Sequence, residues 1–366
     1  MLRRLLSEDF PKSRWLSAAL LVIAVLLALA PFLFGGAKAM SVAAKILIFI
    51  LLVASYDLLL GYTGIVSFAH TMFFGIGAYG VAIASIRLGE GWSALAVGTA
   101  LALVLSSLLS FAIGLFSLRV RAIFFAMITL AVASAFQTLA SQLSDITGGE
   151  DGLTFKNPQW LSPSFEPFEN ELFGLLIDGR ALSYWLIYIV VAFMFFVLLR
   201  IVNSPFGRVL QAIRENDFRA EALGYRTVAY RTLSNLLSAL FATMAGALLA
   251  VWLRYVGPDT TLSFEIMLDV LLIVVIGGMG TLYGAVIGSA LFVVAQNYLQ
   301  DLLALAAQTL AGKPILSDLV NPDRWLLWLG LLFVLSVYYF PSGVVGRLRD
   351  ARMKANQKSS LTGESL

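Results

Sequence analysis

Cysteine is absent from the 366 residues and histidine occurs once, as His70. Without thiols there is no disulfide framework and no thiolate metal site, and a single imidazole cannot assemble a zinc ligand set. No metal site and no resident cofactor are therefore expected. Charge is scarce as well. Only 13% of residues are Asp, Glu, Lys or Arg, about half of the roughly 25% usual in soluble domains. Against this, 60% are hydrophobic and the mean hydropathy is +0.88. Length alone suggests two or three soluble domains, but such a chain lacks the polar surface to cover them, so one membrane domain is expected. The net charge of +3 is not gathered into one patch. Its basic residues flank apolar runs and read as signals of orientation in a bilayer rather than as a nucleic-acid surface. A phosphate-binding loop is missing too: Gly312-Lys313 is followed by Pro314, with neither the upstream glycine nor the Ser/Thr that holds magnesium. No paired His/Asp, Ser/His or metal constellation is visible, so no catalytic residue is assigned and an intramembrane enzyme is a remote third reading.

What the sequence does contain is a series of long apolar runs. Trp15 to Phe34 is uncharged over a length that crosses the roughly 30 Å hydrocarbon layer. Arg3 and Arg4 before it and Ala37-Lys38-Ala39 after it imitate a signal peptide, but the run exceeds the usual 7–15 residues, and retention as a span is expected. Further segments run from Ser41 to Leu60, Thr71 to Ile86, Ser93 to Leu118, Ala122 to Leu143, Leu182 to Leu199, Thr232 to Leu253, Ile266 to Gly280, Leu282 to Leu303 and Trp325 to Phe340. The Thr71 and Ile266 segments are short enough to be re-entrant or broken. The fold class expected is thus all-α and polytopic, with about ten transmembrane or re-entrant helices.

Lysine and arginine near span ends collect on the cytoplasmic side. Four clusters fall on one face when ten segments cross: Arg3, Arg4, Lys12 and Arg14; Arg119 and Arg121; Arg200, Arg208, Arg214, Arg219, Arg226 and Arg231; and Arg347, Arg349, Arg352, Lys354 and Lys358. Both termini are then cytoplasmic. The connector 144–181 carries Asp145, Glu150, Asp151, Glu166, Glu169, Glu171 and Asp178 against Lys156 and Arg180 and reads as the main external loop. Lys38 and Lys45 are exceptions to the rule. The organisation expected is a cytoplasmic segment 1–14, a transmembrane domain 15–342 with a cytoplasmic connector 203–226, and a basic cytoplasmic tail 343–366.

Three stretches are candidates for function. Gly61-Tyr62-Thr63-Gly64-Ile65-Val66-Ser67-Phe68-Ala69-His70 sets glycines and small polar residues between two spans. Either it breaks a helix and lines a pathway, since irregular backbone at membrane depth needs protein or a water-filled cavity around it, or it is a turn with an N-cap at Ser67 or Thr71. A second cluster, Gly277-Gly278-Met279-Gly280, repeats the Gly-x-x-Gly spacing, and transporters often build a pathway from two such breaks. Gly61, Gly64, Ser67, His70, Gly277, Gly278 and Gly280 are therefore the candidate pathway residues. Gly75, Gly77 and Gly80 read as close helix packing. Among intramembrane charges, Asp57 lies near the inner end of its span, and Glu265 and the deeper Asp269 read either as paired or capping groups, Glu265 suiting a helix N-terminus, or as substrate contacts. In the connector, Val209, Leu210 and Ile213 recur at helical spacing and Glu221-Ala222-Leu223-Gly224 ends on a glycine suited to a C-cap, predicting a short amphipathic helix.

The blocks from Gly61 to Tyr79, Ser204 to Gly224 and Val275 to Gly288, with the smaller Thr147-Gly148-Gly149-Glu150-Asp151-Gly152-Leu153, resemble permease subunits of ATP-binding-cassette importers for branched-chain amino acids and related amides, in particular the longer of two permease types. The likeness runs from about Leu47 to Phe340; Ala69 stands where the family commonly has glycine before the histidine. It implies a translocation subunit in a bacterial inner membrane, partnered by a second permease subunit, two ATP-binding subunits that use ATP and magnesium, and an external solute-binding protein. It further implies that Arg214, Glu215, Glu221, Ala222 and Gly224 belong to the segment that couples to the ATPase. A secondary carrier or channel is the competing reading, since broken helices suit it equally. Sidedness is checked by labelling: a single Asn157→Cys variant is expected to react only from outside the cell, and reaction only from the cytoplasm refutes the topology.

Overall fold

The computed structural model describes residues 14–33, 36–117, 122–165, 178–309 and 321–339, together with 343 and 345. Arg3, Arg4, Lys12, Arg119, Arg121, Glu166, Glu169, Glu171, Gly312-Lys313 and the tail from Arg347 lie outside the described residues. In chain order the elements are α1 (Arg14–Ala28), α2 (Ala30–Leu33), α3 (Ala37–Thr63), α4 (His70–Leu88), α5 (Trp92–Ser117), α6 (Ala122–Gln142), α7 (Ser144–Thr147), β1 (Leu153–Thr154), α8 (Gly179–Val202), α9 (Pro205–Glu215), α10 (Asp217–Ala222), α11 (Thr227–Leu253), β2 (Tyr255–Val256), α12 (Pro258–Thr261), α13 (Phe264–Gly277), α14 (Leu282–Thr309) and α15 (Trp325–Tyr339).

Each of the ten apolar segments is helical over most of its described residues, and among the described residues eight helices are long and apolar enough to cross a membrane. The Thr71 segment is a full 19-residue helix, α4. The Ile266 segment gains its length from α12, which continues it back to Pro258. The first segment is interrupted at Leu29, between α1 and α2.

Burial separates a central group from a periphery. In α3, 94% of the apolar window is enclosed, in α4 72% and in α11 67%, whereas α5, α6 and α8 fall between 22% and 28%. Small residues let the central helices approach. A Cβ added at Gly77 would collide with the Thr243 carbonyl, and one added at Gly246 with that of Phe74. Gly80 and Gly98 likewise bring α4 and α5 backbone to backbone. The expected packing role of this glycine series is therefore observed, as membrane helices require when no hydrophobic effect drives them together.

Hydroxyl and amide groups reinforce the same contacts. Along α11, Ser234 Oγ lies 3.0 Å from Thr63 Oγ1, Asn235 Nδ2 donates to Ser110 O at 3.0 Å and to Ser110 Oγ at 2.8 Å, and Thr243 Oγ1 donates to Ser106 Oγ at 2.6 Å. All these side chains are buried.

The connector that begins at Ser144 folds back onto one end of the bundle. β1 pairs antiparallel with β2, Leu153 opposite Val256 and Thr154 opposite Tyr255. Asn157 is only 4% exposed, with Nδ2 donating to Val251 O at 2.7 Å. This burial makes Asn157 a poor labelling position; the adjacent Lys156, whose side chain is 81% exposed, is the better site for the same test. Overpacking at a tight crossing commonly costs about 1–3 kcal/mol. Gly246→Val is accordingly expected to lower the thermal stability and yield of the detergent-purified protein, whereas Gly330→Ala, with nothing within 4 Å of the added carbon, leaves both unchanged.

Candidate functional site: the junction of two helix breaks

α3 stops because Gly64 adopts the left-handed conformation, φ 73°, which glycine enters without a Cβ penalty. The Gly64 and Ile65 amides then converge on Leu59 O, satisfying one of the carbonyls a helix end leaves free. Residues 64–69 are not helical. Phe68 N–H is held by Thr129 Oγ1 at 3.0 Å and Ala69 N–H by Ser67 Oγ at 3.3 Å. The N-cap of α4 is Ala69, without a side-chain bond. Neither Ser67 nor Thr71 caps the helix; Ser67 closes a local turn through its hydroxyl instead.

Ser67 and His70 are buried. His70 Nε2 lies 3.0 Å from Ser238 Oγ and 3.3 Å from Ser55 Oγ, and the ring meets Tyr56 edge-on at 5.0 Å. Ser238 Oγ in turn donates to Ser55 O. The single histidine thus ties the start of α4 to both α3 and α11.

The second break follows α13. Gly278 and Gly280 have φ of 113° and 80°, Gly278 N–H returns to Val274 O at 2.9 Å, and Thr281 Oγ1 donates to Gly278 O at 2.8 Å before α14 begins. Gly277 backs onto Gly284, and Gly343 rests on Gly278.

The two breaks meet. Gly280 N–H donates to Asp57 Oδ1 at 2.9 Å, and a Cβ on Gly61 would overlap both the Asp57 carboxylate and the Gly280 amide. Arg214 Nη1 donates to Gly61 O, and its Cγ would lie 3.1 Å from a Cβ on Gly64. Four of the seven pathway candidates, Gly61, Gly64, Ser67 and His70, lie on the first break, and Gly277, Gly278 and Gly280 on the second; Arg214 from the connector joins them. Asp57 is the residue at the contact that sequence reasoning left unassigned. Its spacing of four from Gly61, which sets both on one helix face, was the available signal.

The connector departs from the single predicted helix. α9 begins with Pro205 behind Ser204, whose Oγ accepts from Gly207 N–H, and buries Leu210 and Ile213. It stops at Asn216, whose side chain accepts from Arg219 N–H at 2.9 Å and so caps a second helix, α10. Gly224 follows α10 with φ 91°, as expected of a glycine C-cap. Glu221 Oε1 accepts from Thr227 Oγ1 at 2.6 Å, and Arg231 pairs with Asp217 at 3.0 Å. Glu215, Ala222 and Gly224 are exposed. So are two large apolar side chains, Phe218 at 82% and Leu223 at 72%.

Further intramembrane charges are accounted for toward the opposite end of α3. Lys45 Nζ donates to Gln296 Oε1 at 2.9 Å, and Gln296 Nε2 to Asp269 Oδ2 at 3.1 Å. Lys38 pairs with Asp301 at 2.5 Å. Both exceptions to the positive-inside pattern therefore have polar partners on α14. Glu265 sits in the first turn of α13, whose N-cap is Ser263, where a carboxylate complements the helix dipole. Among the described residues no group of three His, Asp or Glu could hold a metal ion.

A helical bundle of apolar spans, broken twice at one end where a basic amphipathic connector locks onto it, has the architecture of a multi-pass membrane permease. The chain belongs to the family described as branched-chain amino acid transport system, permease component, which matches residues 38–337, and it is a permease subunit of an ATP-binding-cassette importer in the inner membrane. It is 28% identical over 329 residues to the high-affinity branched-chain amino acid transport system permease protein LivM of Salmonella typhimurium, covering 86% of this chain and 75% of that protein. A probable LivM of Methanocaldococcus jannaschii is 24% identical over 251 residues, 67% of each chain. The second permease type is also similar: LivH of Escherichia coli K12 is 23% identical over 305 residues, 81% of this chain and 91% of LivH. No solved structure matches.

A neutral amide keeps the acceptor that Gly280 N–H requires, whereas an alkyl side chain leaves that donor unpaired, at about 1–3 kcal/mol. Asp57→Asn is therefore expected to retain near-parental thermal stability and Asp57→Leu to lose several degrees, measured on the purified protein. Equal behaviour of the two variants removes the bond from its role at the junction.

Proposed function

We propose that this subunit imports branched-chain amino acids together with a second permease subunit, two ATP-binding subunits and an external solute-binding protein, and that residues 203–226 couple it to the ATPases on the cytoplasmic side. The observation that carries the coupling role is the exposure of Phe218 and Leu223 on and just after α10, while the preceding α9 buries Leu210 and Ile213. Large apolar side chains so exposed at a charged surface mark a protein contact. Arg219 and Glu221 beside them supply the polar rim usual at such a contact. The solute class rests on the names of LivM and LivH.

In this reading the junction is the route by which ATPase motion reaches the spans. Movement of α9 draws on Arg214, which holds Gly61 O, and Gly61 bears on Asp57 and Gly280. The left-handed glycines are the positions that absorb backbone rotation most easily. The stretch from Gly61 to His70 and the cluster Gly277, Gly278 and Gly280 then form the inner gate of the pathway. ATP and magnesium are bound by the partner subunits.

Buried apolar anchors at an interface are commonly worth about 2 kcal/mol or more, while exposed residues contribute little to the fold. Phe218→Ser with Leu223→Ser is therefore expected to reduce co-purification of the ATP-binding subunits about tenfold or more and to abolish vanadate-sensitive uptake, with insertion and yield of the permease unchanged. Full recovery of the ATP-binding subunits and normal uptake in the double variant refutes the docking assignment.

A further inference from the structure

At the end of the bundle opposite the junction, where α3 and α8 begin and α11 ends, a cavity of about 180 Å³ is lined by Ser41, Asn157, Arg180, Ser183, Val251 and Arg254 among others. Asn157 and Arg254 also line a larger neighbouring cavity that opens toward Lys156 and Glu90, so the two spaces share one polar wall.

Three features of this wall bear on what the cavity holds. Asn157 is 4% exposed, and because its Nδ2 is committed to Val251 O at 2.7 Å, its Oδ1 is the free acceptor. That oxygen has no hydrogen-bond partner among the described residues. Buried acceptors are nearly always satisfied, and an orphan asks for an absent donor. Next, no ion pair involves Arg180 or Arg254 among the described residues, although both reach the same small cavity. Finally, Arg254 is the one non-glycine described residue with positive φ, 57°. It ends α11 in a left-handed turn, with its N–H on Ala250 O at 2.7 Å and its carbonyl accepting from Phe155 N–H at 3.1 Å. Glycine fits such a turn without strain; here the turn carries a guanidinium to the cavity instead. Strain of this kind gathers at ligand sites.

We propose that this cavity binds a free α-amino acid as its zwitterion, the guanidinium groups of Arg180 and Arg254 receiving the carboxylate and Asn157 Oδ1 accepting from the ammonium group. The assignment deepens the importer reading and rests on it for the solute class. An acidic side chain of a docking protein would satisfy the two cations but brings no donor for Asn157, and the cavity is a recess rather than a flat face; both points favour the small zwitterion. Guanidinium pairs carboxylate through fixed, often bidentate geometry, while the neutral amide selects a donor without adding a competing charge.

The chain has no cysteine, so Ser41→Cys gives a single thiol at the rim of the cavity. In the full transporter complex in proteoliposomes, L-leucine is expected to slow reaction of that thiol with a membrane-impermeant maleimide. 3-Methylbutylamine, which lacks the carboxylate, and 4-methylpentanoate, which lacks the ammonium group, are each expected to need at least about tenfold higher concentration, the usual worth of one charge-assisted bond. Arg254→Gly, which keeps the left-handed turn and removes only the cation, is expected to weaken protection by L-leucine about tenfold or more, and Arg254→Lys to retain most of it. Asn157→Leu is expected to weaken it similarly.

Protection that Arg254→Gly leaves intact overturns the site, as does equal protection by 4-methylpentanoate or the absence of protection by any of the three. Protection seen only when the solute-binding protein is added overturns it in favour of an acidic docking contact. ATP-driven leucine uptake measured in the same proteoliposomes keeps the two readings apart: uptake without protection removes this site alone, whereas a parental complex that is protected but takes up no amino acid removes the importer reading.

Discussion

The backbone groups released where the ends of α3 and α13 meet set the main constraint on this structure. A buried polar backbone group without a partner costs about 1–3 kcal/mol, so two helices cannot simply stop against one another. Asp57 supplies the acceptor for Gly280 N–H and Arg214 the donor for Gly61 O. One of these partners comes from inside the bundle and the other from a segment outside it. The amphipathic connector is consequently not an appendage resting on the surface: its placement and the closure of the break are one set of bonds. The glycines at 61, 64 and 280 follow from the same requirement, because any larger side chain would occupy the space the bonds cross.

Away from the junction the central helices are held by contacts that need no aqueous solvent. α11 brings Gly246 against the Phe74 carbonyl and presents Ser234, Asn235, Ser238 and Thr243 to α3, α4 and α5. Close approach gives dispersion energy over the length of the crossing, and each interhelical hydrogen bond adds about 0.6 kcal/mol on average. The peripheral helices α5, α6 and α8 show the complement, with most of each apolar window outward. Hydrophobicity therefore does not separate centre from periphery in this protein, since almost every span is apolar; position in the bundle does, with α3, α4 and α11 enclosed and α5, α6 and α8 outward.

Much of this was legible in the sequence because hydropathy and glycine are local signals. Ten apolar segments became ten helical segments, and the left-handed conformations at Gly64, Gly224 and Gly280 fall where glycines had suggested a break or a cap. What could not be read was which distant groups meet. Asp57 and Gly280 are 223 residues apart, and a backbone amide leaves no mark on composition. Lys45 looked like an exception to the charge rule, and nothing local pointed to its partner, Gln296, 251 residues away. Asn216 divides the connector through a side-chain cap that competes with helix continuation, which periodicity alone overlooks. Asn157 appeared to belong to an exposed loop, and only the pairing of β1 with β2 shows that the loop folds back over it.

The Lys45–Gln296–Asp269 chain has a consequence for how the protein is made. Synthesis runs from the N-terminus, and Gln296 lies 251 residues beyond Lys45. At about 5–20 residues per second, α3 waits on the order of 12–50 s for the amide that accepts from its lysine. During that interval an ammonium group inside a nearly finished span has no partner from its own final fold. α3 must then remain at the insertion machinery, or hold its lysine at the headgroups, until α13 and α14 arrive. The most deeply buried helix of the bundle is in this sense among the last to settle, although it is among the first to emerge from the ribosome.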